Sequence, residues 1–179
     1  MTRSFDFDAV DRITAGAVGE PGDRTFYVQA RAGARLVTLL AEKEQVALLG
    51  RALEHLMSSL PEGPEGSEPS ASDLDLDEPL EPEWRVGEIS IQYEPDGDRV
   101  VVGLMEATEV DESESERPGI GEPAVARFIV TRAQARALAG HALAVVSAGR
   151  PLCQLCGLPA PQGQPHVCPA TNGHRAYRE

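Results

Sequence analysis

The amino-acid sequence predicts an α+β domain: one antiparallel sheet with two helices packed on it, followed by a C-terminal zinc knuckle. Three observations predict it. Stretches of alternating apolar and polar residues recur in two groups, each group runs into an apolar helical stripe, and all three cysteines fall between positions 153 and 168. A chain of 179 residues suits one ordinary domain of roughly 100–200 residues with appendages.

The first group reads as three strands, Arg12 to Val18, Arg24 to Arg31 and Arg35 to Leu40. In the second, Phe26, Val28 and Ala30 alternate with Thr25, Tyr27, Gln29 and Arg31, the pattern of a half-buried strand. Gly33 supplies the turn into the third. From Glu42 to Leu60 the period changes, and Val46, Leu49, Leu53, Leu56 and Leu60 form one helical face that Pro61 ends.

The second group repeats this plan. Ile89, Ile91 and Tyr93 alternate with polar neighbours, Pro95-Asp96-Gly97 turns the chain, and Arg99 to Met105 returns as a hairpin partner. A strand over Ala124 to Thr131 leads into a helix over Thr131 to Val146, with Thr131 as N-cap and Ala135, Leu138, Ala142 and Val145 on one face. Setting Gln45 against Gln134 aligns Val46 with Ala135, Leu49 with Leu138 and Leu53 with Ala142. An internal pseudo-repeat accounts for this alignment. So does the helical period, which forces most such matches between any two amphipathic helices.

The net charge of -13 is concentrated in two insertions. Residues 62–83 hold nine acids and no base, and residues 106–122 hold seven acids against Arg117 alone, so the remainder of the chain is nearly neutral. Acidic runs rich in Pro, Gly and Ser bury too little apolar surface to offset their ordering entropy, so disordered, solvated insertions open to proteases are expected near 61–83 and 107–123. They interrupt an α+β domain over 1–149, and residues 150–179 form the tail.

The tail carries the chemistry. Cys153-Gln-Leu-Cys156-Gly157 is a pair of thiols two residues apart followed by glycine, a spacing that folds into a knuckle with backbone N–H groups aimed at the sulfurs. With His166 and Cys168 they make a Cys₃His set, the ligand number and softness that zinc takes in a closed tetrahedral structural site, one ion per chain. The His-x-Cys spacing is tighter than usual, which leaves His174 as a rival fourth ligand. A redox pair needs a helix N-terminus at the first cysteine, and Pro151, Gly157 and Pro159 deny it one. Inert thiols are the remaining reading.

Several segments together resemble a known family. They are Gly16-Ala-Val-Gly19-Glu20-Pro-Gly22 with Arg24-Thr-Phe26-Tyr27-Val-Gln29-Ala30, the helix start Glu44-Gln45-Val46, the run Phe128 to Ala137, and the tail from Gly149 to Gly173. The chain resembles an actinobacterial family of unknown function, domain-of-unknown-function family 3090, over nearly its whole length outside the acidic insertions. The resemblance implies no established activity. For the tail it implies a pattern Cys-Pro-x-Cys-Gly, Gly-His-Val-Cys-Pro-Arg and Asn-Gly-Tyr, which falls on Cys153, Cys156, His166 and Cys168. Here Gln154 replaces the proline, Gln164-Pro165 precede the histidine, and His174 replaces the tyrosine.

Other function classes find little support. Gly16, Gly19 and Gly22 do not open a helix, as a phosphate cradle requires, and read as hairpin turns. Asp6, Asp8 and Asp11 lack calcium-loop spacing, and His55 and His141 have no nucleophile placed beside them by spacing. Arg150, Arg175 and Arg178 with Tyr177 are a thin basic patch, which makes nucleic acid a minor alternative. The acidic N-terminus and the lack of an apolar run near the ~20 residues that span a bilayer predict a cytoplasmic protein without membrane attachment. The expectation is a non-enzymatic, zinc-containing interaction or regulatory protein with a protein partner. The alternative is an enzyme with its site in the 16–31 region.

Overall fold

The structure, a computed structural model, describes residues 3–63, 66–108, 122–149, 153–158, 166–171 and 176–177. Of residues 166–167, 171 and 176–177 only the backbone is described. The chain runs through β1 (Phe5–Phe7), β2 (Arg12–Val18), β3 (Thr25–Ala32), β4 (Arg35–Ala41), α1 (Lys43–Ser59), a single 3-10 turn (Ala71–Leu74), β5 (Val86–Glu94), β6 (Arg99–Glu106), β7 (Val125–Thr131) and α2 (Arg132–Ser147). The α+β class stands. The single antiparallel sheet does not.

Among the described residues before the tail there are two sheets, an antiparallel β2-β3-β4 and a mixed β1-β7-β6-β5 in which β1 runs parallel to β7. They are joined where a chain changes neighbours. Just before β5, the Glu83 N–H donates to the Thr38 carbonyl at 2.9 Å, the Leu40 N–H donates to the Trp84 carbonyl at 3.0 Å, and Leu40 and Arg85 form a parallel bridge. Residues 83–85 thus run along β4 before β5 turns to β6, just as β1 runs along β7 before β2 turns to β3. Such exchanges rest on contacts distant in sequence, which local periodicity does not carry.

The two halves correspond in register. Ala17–Phe26, Ile13–Ala30 and Val28–Leu39 in the first meander have their counterparts in Tyr93–Val100, Ile89–Leu104 and Val102–Phe128 in the second. The pseudo-repeat therefore extends to the strand pairings, beyond what helical period alone imposes. Alternation sends Phe26, Val28, Leu39, Val100, Val102, Leu104, Phe128 and Val130 inward, where they join Val46, Leu49 and Leu53 of α1 and Leu138 and Ala142 of α2 in one buried cluster.

Both helices begin with reciprocal caps. Glu42 and Thr131 are the N-caps, with Gln45 and Gln134 at the third helical position closing each box. The helices cross closely at Gly50, where an added Cβ would lie 2.9 Å from the Leu143 side chain and 3.2 Å from the Ala139 carbonyl oxygen. Among the described residues no helix is long and apolar enough to cross a membrane.

The acidic stretch after α1 departs from the expected solvated loop over residues 73–77. It lies across the outer face of β2 and β3, the face opposite the core. The Thr14 hydroxyl donates to the Leu74 carbonyl at 2.5 Å, and Arg12 and Arg31 both grip the Asp77 carboxylate, at 2.8 and 2.5 Å. Composition misjudged this stretch because its attachment is mainly polar and it adds no residue to the core cluster, so Leu74 and Leu76 are its one faint apolar trace. Residues 109–121 of the second acidic insertion lie outside the described residues.

Candidate metal centre

The knuckle is shaped by backbone first. The Gly157 N–H donates to the Cys153 carbonyl and the Cys153 N–H donates to the Leu158 carbonyl, both at 2.8 Å, so the chain folds back on itself within six residues. Gly157 has φ of +69°, a left-handed conformation that glycine adopts without steric penalty. This turn aims amides at sulfur. Hydrogen bonds from the Cys156 and Leu155 N–H groups, aided by the neighbouring thiols, hold the Cys153 thiol below its ordinary pKa. Cys156 also receives an amide hydrogen bond, from Leu158, which favours its thiolate, but burial and the adjacent Cys153 and Cys168 sulfurs push its pKa up on balance. Crowded thiolates repel one another until a cation joins them.

Cys168 closes the group from across the tail. It is fully buried, Cys153 and Cys156 are partly buried, and all three are thiols outside any disulfide whose sulfurs lie within 4.8 Å of one another. The Cys153 and Cys168 sulfurs are 3.8 Å apart. A disulfide would bring them to about 2.05 Å. A tetrahedral ion with metal–sulfur bonds of about 2.3 Å sets its sulfurs about 3.8 Å apart, which is the spacing found here. The three cysteines are thus placed to hold a metal ion.

Histidine is only partly placed. His166 belongs to a two-residue strand, β8 (His166–Val167), whose antiparallel partner is β9 (Ala176–Tyr177), with His166 opposite Tyr177. That puts the His166 backbone at the base of the hairpin, two residues from Cys168. Its side chain, and all of His174, lie outside the described residues.

The other candidates have structural partners. The carboxylates of Asp6 and Asp8 are exposed and pair with Arg127, while Asp11 accepts the Gly33 N–H, so these acids do not converge on one point. Gly19 and Gly22, both with positive φ, shape the β2–β3 hairpin turn as expected. His55 is exposed on α1, and His141 on α2 is half-buried, with its pKa lowered by that burial. Two polar assemblies left no pattern in the sequence that could identify them. One is the Arg12–Gln29–Arg31–Asp77 cluster. The other is Arg132, only 7% exposed, which bonds the Asp98 carboxylate at 2.5 Å, the Pro61 carbonyl at 2.7 Å and the Tyr93 hydroxyl at 2.9 Å.

Residues 5–168 match the family described as Protein of unknown function (DUF3090), a span that includes all three cysteines and His166. No curated protein and no solved structure matches the chain.

Proposed function

We propose that this chain, which belongs to the DUF3090 family, is a non-enzymatic interaction protein whose tail is closed by one structural zinc ion on Cys153, Cys156, His166 and Cys168. The observation that carries the reading is the sulfur geometry: a 3.8 Å separation in a knuckle whose amides already favour thiolate. Zinc suits three thiolates and an imidazole, and with four protein ligands it supplies a crosslink that stabilises a segment with few core-sized side chains. A closed site leaves no position for a substrate, so it argues for architecture. The 16–31 region carries a different burden: Thr14, Gln29 and Arg31 around it are engaged by the chain's own residues 74–77.

Elemental analysis of protein prepared without chelator should give about one zinc per chain, and metal-free protein with an intact tail would overturn the metal assignment. A pull-down from native extract, comparing wild type with Cys156→Ser, tests the partner. One stoichiometric protein lost with the metal supports the reading. Turnover of a small metabolite by the pure protein, with no partner recovered, would replace it with the enzyme alternative.

A further inference from the structure

Three polar side chains on the sheets, Thr14, Gln29 and Thr38, are buried to 3% exposure or less. They lie on the outer face of β2, β3 and β4, where solvent would otherwise reach, and what covers them is the run Asp73-Leu-Asp-Leu-Asp77. That run is itself shallow. Among the described residues from 66 to 83 none is buried, and none belongs to the core cluster.

The contacts read an extended acidic chain residue by residue. Arg12 Nε donates to the Asp73 carbonyl at 3.1 Å, its Nη2 donates to the Asp75 carbonyl, and the Thr14 hydroxyl donates to Leu74 between them. Gln29 brackets residue 77, donating from Nε2 to its carbonyl at 2.9 Å and accepting its N–H on Oε1 at 2.8 Å, while Thr38 Oγ1 accepts the second Nε2 proton at 2.9 Å. Arg12 and Arg31 share the Asp77 carboxylate. Gly16 completes the face: a Cβ there would lie 2.6 Å from Leu76, so the missing side chain makes the seat for that leucine. Two guanidiniums, a paired amide and a leucine seat are a recognition surface for an acidic segment with leucine beside aspartate.

We propose that this face is a docking site for an acidic Leu-Asp peptide segment of a partner protein, and that Asp73–Asp77 is its displaceable intramolecular occupant. The proposal rests on the interaction-protein reading but not on the metal. Release of the strap leaves the core closed and the exposed polar groups hydrated, so the exchange swaps like contacts for like. The tethered copy acts as a competitor, lowering apparent affinity by the fraction of molecules in which the face is covered.

The test uses the full chain and a fluorescent peptide of the sequence of residues 70–79, followed by anisotropy. The Asp77→Asn and Leu76→Gly chains, each checked for a cooperative melt, should bind the peptide about ten-fold or more tightly than wild type. Adding Arg12→Ala and Arg31→Ala to Asp77→Asn should abolish binding, and a peptide with asparagine at its position 77 should bind poorly. Metal content measured on the same samples should stay at the wild-type level in the strap variants, so failure here is read separately from failure of the metal assignment. Equal affinity of variant and wild-type chains would overturn the proposal. So would loss of the folded state in both strap variants, which would make the strap part of the fold, or exchange of straps into a dimer, which would make a second copy the occupant.

Discussion

Gln45 and Gln134 make the same bonds from equivalent places in the two halves. Gln45 Oε1 accepts the Glu42 N–H at 2.8 Å while its Nε2 donates to the carbonyls of Val86 and Gly87, at 2.9 and 3.1 Å, where β5 begins. Gln134 Oε1 accepts the Thr131 N–H at 2.9 Å while its Nε2 donates to the carbonyls of Val10 and Asp11, at 2.9 and 3.2 Å, where β2 begins. Each glutamine caps its own helix and ties it to the first strand of the other half. Together with the parallel pairings at the two corners, these bonds make the halves mutually dependent.

Truncating either glutamine removes a cap acceptor and leaves strand carbonyls without their donor. Gln45→Ala and Gln134→Ala should each lower unfolding free energy by about 1–2 kcal/mol in urea titrations. A large loss for one and none for the other would break the functional equivalence of the halves.

The helix crossing gives a sharper contrast between two glycines. At Gly50 a side chain meets Leu143 and the Ala139 carbonyl, whereas at Gly140, exposed on α2, nothing lies within 4 Å of an added Cβ. Gly50→Leu should destabilise by about 1–3 kcal/mol through overpacking. Gly140→Ala should stabilise by about 0.5–1 kcal/mol through helix propensity. Thermal melts of the two variants should therefore move in opposite directions.

Legibility followed the range of the interaction. Strand β3 and the capping role of Thr131 were readable because alternation and N-cap chemistry are local. Strand β1 was not, since three residues, Phe5-Asp6-Phe7, carry too little pattern and the strand exists only by pairing with β7. The Asp73–Asp77 strap left a faint trace in its alternating leucines, but its composition resembled disorder and its anchors, Arg12 and Arg31, lie on distant strands. The knuckle was legible for a matching reason: Cys153, Cys156 and Gly157 define its geometry within five residues.

Acid should loosen the joint between α2 and the β5–β6 turn. The hydrogen bond from the Tyr93 hydroxyl, followed by that from Arg132, holds the Asp98 carboxyl below its ordinary pKa. A depressed folded-state pKa means the carboxylate stabilises the fold above the unfolded value, near 4, and that this contribution is lost as pH falls through the folded value. Unfolding midpoints measured between pH 7 and pH 3 should fall less steeply for Asp98→Asn, which should already be weaker than wild type at neutral pH. Parallel curves for the two proteins would show that Asp98 does not supply the acid sensitivity.

The two histidines of the tail should separate in metal binding. His166 has its backbone paired at the base of the β8–β9 hairpin, two residues before Cys168, whose buried sulfur lies 3.8 Å from that of Cys153. In the proposed ligand set His166 is the fourth ligand, and loss of one of four ligands opens the site to water and weakens it. His166→Ala should therefore lower zinc affinity about 10-fold or more in competition with a chromogenic chelator, and Cys153→Ser and Cys156→Ser should remove the metal altogether. His174→Ala should retain zinc near the wild-type level. The variants that lose metal should also be cut first within residues 151–168 by a broad-specificity protease such as subtilisin while the β2–α2 body resists, because the tail then lacks its crosslink. If His174→Ala proves the weaker binder, the fourth ligand is His174, and the hairpin must close around it.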